Sequence, residues 1–371
     1  MQPRRRFVAR TLAAALAAGG AATAGAQGAG GAGVRWRLRT QVDRAHEQVV
    51  ASLAWVAERI AAMTGGRLRI DVETADRPGV RLPSFESLRA GEVDAVHVDA
   101  STLLDREPLF AFLGTIPYGM TAPQHDAWLR HGGGLALLRP ALLRSGVIAF
   151  PAGGSAIEMG GWYRREIRAP DDLKGLRVRV ADGLDAAMLG RLGVALQRLP
   201  DDDVLPALQA GRLDGAIGVG PCDDERRGWY KAARFYHYPL APGGGHQFAL
   251  LVRAEAWAAL PADLKAVFEA ACTEAGQDVL GRYSAQTPQA LRRLLANGVQ
   301  LRPLPPEIAR AGFAAAGEAL AAAGRDDEFR QVHASWKAFR DDQLRAFGLP
   351  DARNTTLMHS LTATTAAAAA R

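Results

Sequence analysis

The stretch Glu158-Met-Gly-Gly-Trp162-Tyr-Arg-Arg-Glu-Ile167, continued by Arg168-Ala-Pro-Asp-Asp-Leu-Lys-Gly-Leu-Arg-Val-Arg-Val180, decides the fold. It sets a Gly-Gly-Trp turn, a polar loop and an alternating strand in order, with Arg179 near the strand's end. Alternation at period two puts Arg177 and Arg179 on one face of that strand. A binding role for one of them therefore requires the structure to separate it from the other.

Outward from this segment, short strands alternate with helices, the pattern of α/β layers. Trp36-Arg37-Leu38-Arg39-Thr40 alternates as a first strand, and Val49, Leu53, Val56 and Ile60 follow at the spacing of one buried helical face. Gly65-Gly66 stops that helix, and Leu68 to Val72 alternates again. Further on, a helix from Asp185 to Leu192 precedes a strand from Ala195 to Leu199, and Phe248 to Val252 reads as a crossing strand. Pro261 opens a helix with apolar Leu264, Val267 and Phe268, the start of a helical C-terminal part. Phe329, Val332, Trp336, Phe339 and Phe347 mark a last amphipathic helix, whose stripe packs on the body of the protein or, as a sharper alternative, on a second copy. Residues 351–371, with a threonine/alanine run from Thr362 to Ala370, are expected to stay disordered.

An internal echo divides the chain. Leu88-Arg-Ala-Gly91-Glu-Val-Asp94-Ala-Val96 matches Leu208-Gln-Ala-Gly211-Arg-Leu-Asp214-Gly-Ala216, about 120 residues later. Each copy is a helix end, a glycine suited to the left-handed C-cap, and a strand entering a sheet. The spacing is too wide for a solenoid and fits two similar lobes. Their expected bounds are 27–152 with 241–290 for the first, and 153–240 with 291–350 for the second and the C-terminal helices.

Residues 1–26 read as a cleavable export signal: Arg4-Arg5-Arg6-Phe7, an alanine/leucine-rich run from Thr11 to Ala18, and Ala24-Gly25-Ala26. The paired arginines point to the twin-arginine route and the periplasm. The apolar run is shorter than the roughly 20 residues that span a bilayer. Losing Arg4, Arg5, Arg6 and Arg10 takes the formal charge of +6 to about +2, so the mature chain makes no case for a nucleic-acid partner. Two cysteines, Cys222 and Cys272, are expected as buried thiols, with a disulfide left open by spacing alone. No Gly-x-Ser-x-Gly elbow, P-loop, His-Glu-x-x-His or Cys-x-x-Cys is present, and His97, His125, His131, His237 and His246 are scattered, so no catalytic residues are assigned. Asp201-Asp202-Asp203 reads as a solvated helix start rather than a metal run.

Several segments in order carry a resemblance: Met63-Thr-Gly-Gly-Arg-Leu68, Gly114-Thr-Ile-Pro-Tyr-Gly-Met-Thr-Ala122, Gly132-Gly-Gly-Leu135, Met159-Gly-Gly-Trp162, Asp172-Leu-Lys-Gly-Leu176, Gly220-Pro-Cys-Asp-Asp224 and Phe235-Tyr-His-Tyr-Pro239. Together they resemble the solute-binding proteins of tripartite ATP-independent periplasmic (TRAP) transporters, the DctP-like family, most of all its α-keto acid branch. The resemblance implies an α/β, two-lobe Venus-flytrap fold with a helical C-terminal part. It also implies a small organic acid in the interlobe cleft, TRAP membrane subunits as partners, and a possible homodimer through the C-terminal helix. It assigns the ligand carboxylate to Arg179, whose planar guanidinium matches a carboxylate bidentately.

The same resemblance places cation ligands at Glu158, Ile217, Gly218 and Gly243, where the branch has a glutamine, a Glu-Trp pair and a further polar residue. Isoleucine and glycine side chains offer no oxygen to a hard cation. A paired aromatic is likewise replaced around Ser101-Thr102. A metal-free site is the expectation, with Glu158 facing Arg179 or a ligand amine and no cofactor, although bound sodium or calcium stays open. The alternatives are a repurposed binding protein serving as sensor or partner subunit, and a periplasmic enzyme.

Overall fold

The computed structural model describes residues 33–42, 46–74, 85–155, 159–239, 241 and 245–369, with side chains as far as Leu361. The export signal, Glu158 and Gly243 lie outside the described residues.

Eleven strands form two sheets among these residues. In chain order they are β1 (Val34–Thr40), β2 (Leu68–Glu73), β3 (Ala95–Val98), β4 (Val147–Gly154), β5 (Gly161–Tyr163), β6 (Arg177–Arg179), β7 (Ala195–Gln197), β8 (Gly215–Ala216), β9 (Phe235–Tyr238), β10 (Gln247–Arg253) and β11 (Gln300–Pro303). The first sheet runs β2-β1-β3-β10-β4 and the second β11-β9-β5-β8-β6-β7. β1 pairs parallel with β2 and β3, and β6 pairs parallel with β7 and β8, while β10 and β5 run antiparallel to their neighbours.

Each sheet is covered on both faces, which explains its composition. Along β10, Phe248, Leu250 and Val252 enter one core with Trp36, Leu38, Phe150 and Phe268, while Ala249 and Leu251 enter another with Val96, Phe110, Phe112 and Leu142. The unbroken apolar run is thus period-two alternation between two interiors. In the second sheet Tyr163 and Val178 face one core and Trp162, Ala216 and Tyr236 the other. Trp162 therefore belongs to a strand, stacked 3.8 Å from Tyr236, and the turn expected of Gly-Gly-Trp is confined to the glycines, Gly161 at φ +96°.

The echo is structural. Gly91 and Gly211 take φ +72° and +68°, and the strands they lead to, β3 and β8, lie one in each sheet. In both copies the aspartate clamps the next strand: Asp94 Oδ2 accepts from Arg37 N at 2.9 Å, and Asp214 Oδ2 from Arg177 N at 3.0 Å. Arg177 is the second-lobe counterpart of Arg37.

The helix Glu47–Met63 buries Val49, Leu53, Val56 and Ile60 as its spacing requires. The helix Ala262–Ala296 runs from the first lobe's core (Leu264, Phe268, Val279) to the second's (Leu294) and ties the two together. Among the C-terminal helices, Pro306–Ala323 packs beside the second sheet, and Asp327–Gln343 docks on the first lobe by inserting Phe329, Val332 and Trp336 against Phe112 and Trp128. Core packing is thus the role of that stripe; Phe347 alone stands half exposed beyond it. The tail expected to be disordered is instead helical over Leu349–Ala369, a state that its leucine, methionine and arginine residues and its closing alanines favour by propensity. Both cysteines are free and buried in the first lobe's core, and burial pushes the Cys222 thiol up to about 11.

Candidate functional site

Ligands in open parallel sheets bind outside the carboxyl ends of the strands. In this chain the segments leaving β1 and β3 meet those leaving β6 and β8. Ser101 Oγ lies 2.7 Å from where a Cβ on Gly183 would stand, and Gly183 follows β6. His46, after β1, accepts at Nε2 from Arg227 Nη2 at 2.8 Å, and Arg227 closes the helix Pro221–Arg227 that follows β8. Beside it, Arg226 pairs with Glu47.

On the first-lobe wall, Asp99 at the end of β3 accepts from Ser101 N and Thr115 N, each at 3.0 Å, and from Thr115 Oγ1 at 2.5 Å. His246 Nδ1 stands 3.7 Å from its Oδ2. Burial pushes the Asp99 carboxyl up, but the bond and charge of His246 with the Thr115 donors outweigh it, and the group is held below its ordinary value. His246 is thus an anchored element of the wall, with its side chain 18% exposed.

On the second-lobe wall the structure separates the two arginines of β6. Arg177 is exposed and bound to Asp214 through Nε and Nη2, both at 2.9 Å. Arg179 turns inward: Nε donates to Leu199 O at 3.3 Å, Nη1 to Ile217 O at 3.4 Å, and Nη2 to Asp201. Asp201 is thus no solvated turn. Its other oxygen accepts from Arg227 Nε at 2.8 Å, and Arg227 Nη1 reaches Asp224 Oδ1 at 3.5 Å. Charges alternate along Arg179, Asp201, Arg227 and Asp224. The Arg179 and Asp201 side chains are 17% and 12% exposed, so the array opens outward at that end, whereas those of Arg227 and Asp224, at 4% and 0%, lie behind.

Asp224 also accepts from Trp162 Nε1 at 2.9 Å, Tyr236 Oη at 2.7 Å and Val219 N at 3.2 Å. Burial pushes its carboxyl up in spite of Arg227 and these donors. For Arg227 burial disfavours the cation, yet Asp201 and Asp224 outweigh it and raise the guanidinium above its ordinary value. Both guanidiniums lie over the Trp229 ring, Arg179 at 5.9 Å and Arg227 at 5.2 Å from its centroid. Trp229 is wholly buried, and its Nε1 has no hydrogen-bond partner among the described residues.

Ile217 and Gly218 sit between these groups. The Ile217 side chain is buried in the second-lobe core, with Cδ1 2.4 Å from where a Cβ on Gly161 would stand. A Cβ on Gly218 would fall 2.0 Å from Asp224 Oδ1. The structure thus brings Arg179, Ile217 and Gly218 together and adds Asp201, Arg227 and Asp224, which sequence reading had not assigned. Their one local signal was the Asp224/Arg227 pair at i,i+3 in a short acidic-then-basic helix. A cavity of about 410 Å³ lined by Glu47, Cys222, Arg226, Arg282 and Arg293 lies beside the His46–Arg227 contact; Arg226, Arg282 and Arg293 are paired with Glu47, Asp278 and Glu225, and Arg179 does not line it.

Residues 40–325 match the family described as bacterial extracellular solute-binding protein, family 7 (DctP). A monocarboxylate 2-oxoacid-binding periplasmic protein of Nostoc sp. is 38% identical over 308 residues, 83% of this chain and 84% of the relative. A TRAP transporter solute-binding protein of Bordetella bronchiseptica, solved with calcium and picolinate in its active site, superposes with a TM-score of 0.83 at 30% identity, over 90% of this chain and 100% of that one. A TRAP solute-binding protein of Pseudoalteromonas atlantica with bound sodium and pyruvate gives 0.79 at 28% identity, over 88% of this chain and 99% of that one.

Proposed function

Since the chain belongs to family 7 of the bacterial extracellular solute-binding proteins, we propose that it binds a small organic acid, a mono- or dicarboxylate of the α-keto acid type, between its two lobes and delivers it to TRAP membrane subunits. The relatives are solute-binding proteins, and this chain is one of them rather than an enzyme. The observation that carries the ligand reading is Arg179: a partly exposed guanidinium at the carboxyl end of β6, in a chain 38% identical to a 2-oxoacid binder.

Two separate sheets, tied together by the helix Ala262–Ala296, suit a hinged clamp, with ligand shifting the population toward the closed form. Arg179 would orient the carboxylate, with Trp229 buried beneath its guanidinium, and the Asp99–His246 pair would face it from the first lobe. The lobes would comprise 27–152 with 241–290, and 153–240 with 291–350, the latter range carrying the C-terminal helices, of which Asp327–Gln343 docks back on the first lobe. Residues 1–26 would direct export by the twin-arginine route, in keeping with an extracytoplasmic family and with the lack, among the described residues, of a helix long and apolar enough to cross a membrane. The half-exposed Phe347, at the end of the last amphipathic stripe, supports a homodimer contact through the C-terminal helix.

A thermal-shift screen of 2-oxoacids, picolinate and dicarboxylates tests the reading, because a ligand at 100 times its Kd stabilises by about 2.7 kcal/mol. A carboxylate that raises the unfolding temperature and titrates at one site is the expected result. A protein indifferent to every acid in the panel would leave the sensor or partner-subunit reading in its place.

The described residues do not fit the cation of the relatives; Glu158 and Gly243 lie outside them. Calcium takes six to eight oxygens. Among the described residues no group of three His, Cys, Asp or Glu could hold a metal ion. Gly218 has no room for a side chain beside Asp224, Ile217 has no side-chain oxygen, and the Ile217 carbonyl already accepts from Arg179.

A further inference from the structure

We propose that Arg227 fills the place of the cation found with the carboxylate in those relatives, so that this site binds neither sodium nor calcium and the ligand is held by organic charges alone; the inference rests on the carboxylate reading above. Arg227 stands between two carboxylates, Asp201 at 2.8 Å and Asp224 at 3.5 Å, where a divalent ion would otherwise be attracted. Its side chain is 4% exposed, so its charge is built into the fold rather than recruited from solvent.

The location matches the loss. Asp224 Oδ1 lies against Gly218, and Arg179 Nη1 donates to the carbonyl of Ile217, so two guanidiniums flank the backbone that the resemblance assigns to cation ligands. Asp201 joins them, which couples Arg227 to the residue that meets the ligand. A metal ion and a guanidinium repel at this range, and in a buried site the repulsion is poorly screened. The two are therefore alternatives. The array also offers a buried donor, Trp229 Nε1, beside both cations, an environment suited to an anion.

The test uses mature protein stripped with EDTA in potassium buffer. Metal content is measured by mass spectrometry, thermal unfolding with and without calcium or sodium, and affinity for pyruvate and picolinate by calorimetry in both conditions. The expected result is no stoichiometric calcium, no shift of the unfolding temperature by calcium alone, and affinities equal within about twofold with and without it. Arg227→Ala should weaken carboxylate binding by about 30-fold or more, with partial restoration by methylguanidinium, and should gain a calcium-dependent rise in unfolding temperature as Asp201 and Asp224 lose their counter-ion. Arg227→Lys should stay calcium-independent, which a merely structural role would not require. Should the alanine variant fail to fold, the native protein and the lysine variant still decide the matter. Calcium retained one to one, or an affinity raised about tenfold or more by calcium or sodium, overturns the inference while leaving the carboxylate reading intact. A native protein that ignores both calcium and every carboxylate upholds the exclusion of metal and overturns that reading instead.

Discussion

Arg177 and Arg179 share a strand face, and their separate fates come from what each finds at the edge of the sheet. Arg177 meets Asp214, which repeats the Arg37–Asp94 clamp of the first lobe; Arg179 meets Asp201 and the Ile217 carbonyl at the carboxyl end. Exposed ion pairs contribute little. Arg177→Ala should therefore leave carboxylate affinity within about twofold of native, while Arg179→Met weakens it by about 30-fold or more, both read by calorimetry. Gly218→Ala drives a methyl into Asp224 and should cost about 1–3 kcal/mol in denaturant midpoints, with a change in near-ultraviolet dichroism as Trp162 loses its acceptor. His97 makes a pH prediction. Burial, and then the charge of His46, holds its pKa down at about 3, while the unfolded chain protonates near 6.5. The unfolded state thus binds the extra proton, and stability present above about 6.5 should fall as pH drops from there toward about 3. His97→Gln should flatten that slope in urea unfolding at stepped pH; an unchanged slope would refute the assignment.

At the scale of elements, periodic signals carried well. The faces of Glu47–Met63 and Asp327–Gln343 and the two glycine caps are where the spacing puts them, because helix and strand periods are set by the backbone itself. Three residues have no measurable period, so Gly-Gly-Trp by itself reads as a turn; β5 exists through its pairing with β8 and β9. The docking of Asp327–Gln343 is an element-scale property with a direct check. Trp336→Ala should cost about 3–5 kcal/mol, for Trp336 is 2% exposed in the first lobe's core. Phe347→Ala, at a position 51% exposed, should stay within about 0.5 kcal/mol at dilute protein. Chemical denaturation of both variants measures the contrast.

At the scale of the whole molecule, function depends on how the lobes meet. Gly183 sits at φ +121° against Ser101, and Leu184 beside it enters the first lobe's core. Gly183→Ala adds strain and bulk at that meeting point. It should hold the lobes apart, weakening affinity by about tenfold. Small-angle scattering at saturating ligand should then give a larger radius of gyration than native; an unchanged radius and affinity would exclude this contact from closure. What the chain's own order determined was the two-lobe α/β layering, the helical faces, the family and the strand end that carries Arg179, since all of these follow from local periodicity and ordered motifs. Tertiary structure alone decided which arginine turns inward, that Asp201 is shared by Arg179 and Arg227, and that Arg227 stands between Asp201 and Asp224. Those pairings join residues 22 and 26 positions apart, and 181 apart for His46 with Arg227. Sheet order and helix docking bring such partners together, and buried charges must find them wherever they lie, because desolvation leaves no alternative.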